Sequence, residues 1–189
     1  MTLTTIDPVP ALVLVDLQQG IVSALPGAAT TAAVARSAEL ADAFRRRGLP
    51  VVLVTVTGRA PGRVDTVRAA ARDTERPPGW ADPVDDLGVR PTDHRVTKRR
   101  RSAFHDTGLD TLLRDLGVTQ VFLAGISTSS GVESTARSAA DHGYHVVLAT
   151  DAMTDPDADA HRHSVERIFP KLGETATTAE IVAMTGAGR

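Results

Sequence analysis

Residues 11–15, 51–56, 121–124 and 145–149 are short apolar runs without polar–apolar alternation. A strand with one wet face alternates, so runs like these suit strands covered on both faces, as in a parallel sheet. Residues 94–97 and 174–176 read as two further strands. Between them lies helical spacing. Val34, Ala38, Ala41 and Phe44 share one face of a stretch capped by Thr30 or Thr31, running to about Arg47 and stopped by Gly48. Leu109, Leu112, Leu113 and Leu116 share a face over 107–116, and Gly117 ends it. Residues 128–142, 161–169 and 178–184 also read as helices. Strands alternating with helices predict an α/β domain, with right-handed crossovers placing helices on both faces of a parallel sheet.

A chain of 189 residues is sized for one domain, taken as 1–189. With 21 Lys+Arg against 23 Asp+Glu and 3% aromatic residues, neither an electrostatic nor a stacking surface for nucleic acid is expected. The absence of cysteine removes disulfides, thiolate ligands and thiol nucleophiles together. No stretch approaches the ~20 apolar residues of a membrane span, and the first ten residues lack the pattern of a signal peptide. The expectation is a cytoplasmic protein. Residues 57–92 are irregular and proline-rich, with a short helix expected within 65–72. Loops this long in compact domains are commonly functional.

In open parallel sheets, ligands collect at the carboxyl ends of the strands. That rule points to Asp16, 57–63, Lys98 and 125–131. Asp16 is either a strand-end residue capping the next turn or a general acid or base. Lys98 is either a surface lysine or a charge placed beside Asp16, where it would lower the carboxyl pKa. Burial or a substrate carboxylate would then be needed to push that pKa back up. Residues 125–132 follow a strand and open a helix, where backbone N–H groups favour negative charge, although Thr128 and the serines equally fit N-caps. Arg59, Arg63 and Arg68 are either solvated or positioned for a substrate carboxylate. The run 99–101 reads as a solvated or substrate-facing loop. Trp80, the only tryptophan, would cover a pocket mouth, pack at a subunit interface or anchor its loop. The six histidines form no metal-binding pattern, and no phosphate-binding glycine loop is present. No metal and no cofactor is expected.

Three segments, however, resemble one known family in order and spacing over roughly residues 10–185. They are Leu14-Val15-Asp16-Leu17-Gln18; Lys98 with Ser102-Ala103-Phe104 and Gly108-Leu109; and Gly125-Ile126-Ser127-Thr128 with Val132-Glu133-Ser134-Thr135-Ala136-Arg137. This pattern resembles the isochorismatase-like, or cysteine hydrolase, superfamily. The resemblance implies a Rossmann-like αβα sandwich around a six-stranded parallel sheet, a non-proline cis peptide at Ile126–Ser127, and self-association as a homodimer or higher oligomer. In amidase members it implies an Asp–Lys–Cys triad. Here Gly131 stands at the cysteine position, so a thioester route through that residue is excluded. True isochorismatases also lack the cysteine and hydrolyse a vinyl ether, releasing pyruvate, although Ser127 stands where some of them carry a large polar aromatic residue.

The site so implied has Asp16, Lys98 and Gly131 at its catalytic centre. Gln18, Arg63, Trp80, Ile126, Ser127 and Ser130 would contact a small carboxylated substrate. Three functions follow from these residues: acid catalysis by Asp16 without a nucleophile, a pocket-retaining binding protein without turnover, or a nucleophile moved to Ser129 or Ser130.

Overall fold

The computed structural model describes residues 3–58 and 76–187. Six strands form one sheet: β1 (Pro10–Val15), β2 (Val51–Val56), β3 (His94–Lys98), β4 (Gln120–Ile126), β5 (His145–Thr154) and β6 (Glu174–Ala176). Their order is β3-β2-β1-β4-β5-β6, and every pairing is parallel. The apolar runs are the inner strands because both faces are covered. Leu12, Leu14, Leu53, Phe122 and Val147 face one helix layer, and Val13, Val15, Val54, Leu123 and Leu148 face the other.

The first layer contains α2 (Ala28–Arg46), which buries Val34, Leu40, Ala41 and Phe44, and α6 (Thr178–Ala187), which contributes Ile181. The opposite layer contains α3 (Leu109–Asp115) and α4 (Glu133–Asp141), through Leu109, Leu113, Ala136 and Ala139. The short helices α1 (Gln19–Val22) and α5 (Ala158–His163) follow β1 and β5. The αβα sandwich agrees with the sequence expectation.

Several boundaries differ from it. α2 starts at Ala28 rather than near Thr31, with Gly27 at its cap and Thr31 Oγ1 donating to Gly27 O. The single helix expected over 128–142 is a wide i→i+5 turn, Thr128–Val132, followed by α4. The helix expected over 161–169 begins earlier, because Asp157 caps it by accepting from the N–H groups of Asp159 and Ala160. Helix α1 was not expected at all. β5 runs five residues past its expected end, with an irregularity where its pairing moves from Leu123↔Leu148 to Gly125↔Met153. Arg59, Arg63, Arg68 and the helix expected within 65–72 lie outside the described residues. Among the described residues, no helix is long and apolar enough to cross a membrane.

Candidate active site

The strand order reverses between β1 and β4, and sheets of this kind bind ligands at the carboxyl end of such a reversal. Asp16 leaves β1 at that point. It adopts φ 56°, a left-handed conformation uncommon outside glycine, and its N–H donates to Val54 O at 2.8 Å. Lys98, the last residue of β3, reaches back so that Nζ donates to Asp16 Oδ2 at 2.7 Å and to Arg100 O at 3.2 Å. The two side chains are 8% and 2% exposed. Lys98 is therefore paired and buried, not a surface lysine.

The opposing effects on Asp16 have a clear winner. Burial disfavours the carboxylate and Lys98 favours it, yet the pKa is pushed up to about 6 from the ordinary 3.8, because desolvation outweighs the ion pair. The two oxygens are not equivalent. Oδ2 holds Lys98, while Oδ1 is buried without a hydrogen-bond partner among the described residues. A proton on Asp16 therefore belongs on Oδ1, the oxygen free to pass it on.

Gly131 closes the site from the β4 side. A β-carbon there would stand 3.1 Å from both Asp16 Oδ2 and Val15 Cγ1, and 3.6 Å from Ile126 O. The Ile126–Ser127 peptide is cis, as the family resemblance implied. Ser127 O accepts from the N–H groups of Ser130 and Val132, which folds residues 126–131 into one compact turn. Gly125, at φ 126°, lets β4 lie against the Val15 carbonyl, where any side chain would collide. Asp16, Lys98 and Gly131 thus converge from three strand ends, and Ile126, Ser127 and Ser130 belong to the turn that carries Gly131.

Two expected contacts have other work. Gln18 is fully buried. Its Oε1 accepts from Val56 N–H at 2.7 Å, and its Nε2 donates to Val56 O and Trp80 O at 3.1 and 3.3 Å. With both ends of the amide held by backbone, Gln18 braces the site wall. Trp80 O also accepts from Gly20 N–H, and its indole lies so close over Gly20 that a β-carbon there would enter the ring. The Arg76 guanidinium sits 3.9 Å from that ring's centroid. Of the three roles foreseen for Trp80, loop anchoring is the one these contacts describe. Ser129 is exposed, its hydroxyl donating to Asp155 Oδ2 at 2.8 Å. Asp155 and His161, which both bond this turn, carried no signal in the sequence because their partners lie 26 and 33 residues away. Among the described residues, no cluster of three or more His, Cys, Asp or Glu side chains could hold a metal ion.

The family model for the isochorismatase domain matches residues 10–180, spanning all six strands. The chain belongs to the isochorismatase family. An isochorismatase family protein from Burkholderia thailandensis superposes with a TM-score of 0.89 at 40% identity, covering 97% of this chain and 98% of that one. The uncharacterised isochorismatase family protein YwoC of Bacillus subtilis is 38% identical over 176 residues, 91% of this chain and 92% of its own. Maleamate amidohydrolase of Pseudomonas putida is 30% identical over 178 residues, 89% and 83% of the two chains. The isochorismatase family is hydrolytic, and this member is a hydrolase of it that has no cysteine.

Proposed function

We propose that this protein hydrolyses a vinyl ether of the isochorismate type, with Asp16 as general acid. The observation that carries this reading is the state of Asp16: a buried carboxyl raised to about 6, with one oxygen fixed by Lys98 and the other unpartnered, beside a residue without a side chain. An amide route like that of the cysteine-bearing relatives needs a nucleophile at position 131, and glycine offers none. Vinyl ether hydrolysis needs only a proton and water.

The steps balance as follows. Asp16 Oδ1 gives its proton to the terminal methylene carbon, whose π electrons form the new C–H bond. The cation is left on the neighbouring carbon, which bears the ether oxygen and shares the charge with it, and water adds to that carbon to give a hemiketal. One water proton returns to Asp16, and the hemiketal hydroxyl proton moves to the ether oxygen as the C–O bond breaks. The products are an alcohol and pyruvate. Lys98 keeps a third N–H donor for the substrate carboxylate, which would itself favour the protonated form of Asp16. The backbone of residues 126–131 lines the pocket, with Ser127 and Ser130 at its edge.

The deciding experiment is pyruvate release from isochorismate by the wild type and by Asp16→Ala. General acid catalysis contributes typically 10²–10⁴-fold, so the variant is expected to lose at least about 100-fold. Isochorismate binding without turnover would instead make this a pocket-retaining binding protein.

A further inference from the structure

The turn that carries Gly131 is gripped from behind by one segment of chain. Ser129 donates both its backbone N–H and its hydroxyl to Asp155 Oδ2, each at 2.8 Å. Thr128 Oγ1 and His161 Nδ1 share a hydrogen bond at 2.8 Å. Ser164 Oγ donates to Glu133 Oε2 at 2.7 Å, at the first residue of α4. Thr128 and Ser164 are fully buried. The gripping segment is also tied to itself. Asp155 Oδ1 accepts from Asp157 N–H, and Asp157 Oδ1 caps α5, the helix that carries His161. One carboxylate and one imidazole, linked through a capped helix, thus hold adjacent residues of the turn.

Glycine at 131 makes such a grip necessary. Even a β-carbon there would stand 3.1 Å from Asp16 Oδ2 and Val15 Cγ1, so the front of the turn has no room for an anchoring side chain. Glycine avoids that crowding and adds backbone freedom. The turn is held by Thr135 Oγ1, which donates to Gly131 O at 2.7 Å, and from its other side by Asp155 and His161 on residues 129 and 128. The bonds to Asp155 are charge-assisted, which makes them stronger than neutral ones.

We propose that Asp155 and His161 are positioning residues that hold turn 127–132 against Asp16, an inference resting on the reading of this site as the reacting centre. Neither acts on substrate. Both act through the backbone between Ser127 and Val132. A displacement of about 1 Å in a reacting site can reduce the rate by ~10²-fold.

The test compares Asp155→Ala, Asp155→Asn and His161→Ala with the wild type, using two readouts. The first is the titration of the Asp16 carboxyl, followed by ¹³C NMR without substrate. The second is kcat and KM for pyruvate release from isochorismate. In Asp155→Ala and His161→Ala the loosened turn admits water to Asp16, so its midpoint drops from about 6 toward 3.8. The kcat falls about 10–100-fold, with a much smaller change in KM. Asp155→Asn restores most of both, because its amide oxygen still accepts both Ser129 donors and only the bond from Asp157 N–H is lost. An unmoved Asp16 titration in the two alanine variants, or no rescue by asparagine, overturns the proposal. A wild type that releases no pyruvate removes the vinyl ether reading, and the Asp16 titration then decides the positioning role alone.

Discussion

Asp16 is a carboxyl whose surroundings oppose one another, and the balance fixes the direction of its pH response. If its protonated form does the work, kcat/KM is level below about 6 and falls roughly tenfold per pH unit above it, since the profile reports the free enzyme's acid. A general base would give the mirror image, so a pH series of pyruvate release separates the two roles. Gly131→Ala probes the space beside that carboxyl. The new methyl would press at 3.1 Å on Asp16 Oδ2 and on Val15 of the central strand. Val15 is locked in the sheet, so the carboxylate must shift and loosen its bond to Lys98. Overpacking of this kind costs about 1–3 kcal/mol. The expected outcome is a small drop in melting temperature with a loss of more than tenfold in kcat. Wild-type kcat in Gly131→Ala would mean that the space beside Asp16 is unused.

At the scale of elements, the sequence revealed what local pattern controls and concealed what distant contacts control. The inner strands were legible because burial on both faces leaves unbroken apolar runs, such as 11–15 and 121–124. Helix α2 was legible from its spaced apolar face. The break between the turn at Thr128–Val132 and α4 was not, since Thr128, Ser129 and Ser130 suit a helix start as well as a wide turn. Strand order and the reach of Lys98 across β2 to Asp16 belong to topology, and of these the family motifs implied only that Lys98 and Asp16 share a site. Gln18 is the clearest case of concealment. It sits next to the motif aspartate, yet its amide bonds residues 38 and 62 positions away. Gln18→Ala would leave the Val56 N–H without this partner and release the segment around Trp80. An unmade hydrogen bond costs about 1–3 kcal/mol, so urea unfolding is expected to show a loss of that size, with new proteolytic cleavage within 77–83. An unchanged cleavage pattern would show that Trp80 is held without Gln18.

At the scale of the whole molecule, two buried ion pairs among the described residues do different jobs, and their response to pH and mutation tells them apart. Arg45 and Asp93 join α2 to the start of β3 through two parallel bonds of 3.0 and 2.7 Å, and Arg45 also donates to Leu87 O. With 4% and 2% of these side chains exposed, Asp93→Ala would leave the buried guanidinium only Leu87 O and Asp42 at 3.5 Å, and breaking a buried pair destabilises by up to about 3–5 kcal/mol. The Asp16–Lys98 pair instead carries a stability penalty at neutral pH. The folded pKa of Asp16, about 6, lies above the unfolded value of 3.8, so between them the native state binds more protons than the unfolded chain. Stability contributed by this group is therefore full below about 4, is lost as pH rises to about 6, and is level beyond that. One pKa unit corresponds to 1.36 kcal/mol, which puts the whole effect at ~3 kcal/mol. Other carboxyls act in the opposite direction. Asp110, hydrogen-bonded by Tyr144, and Glu180, bonded by the Thr177 backbone, have lowered values. Only the difference between wild type and Asp16→Asn isolates the term. Asparagine leaves Lys98 without a charge partner at every pH, which shifts stability by a constant and removes the slope. Urea unfolding from pH 4 to 7 should therefore show the wild type losing stability relative to Asp16→Asn up to pH 6, with parallel curves above it. A difference independent of pH across that range would mean that Asp16 is ionised throughout, and the acid role would fall with it.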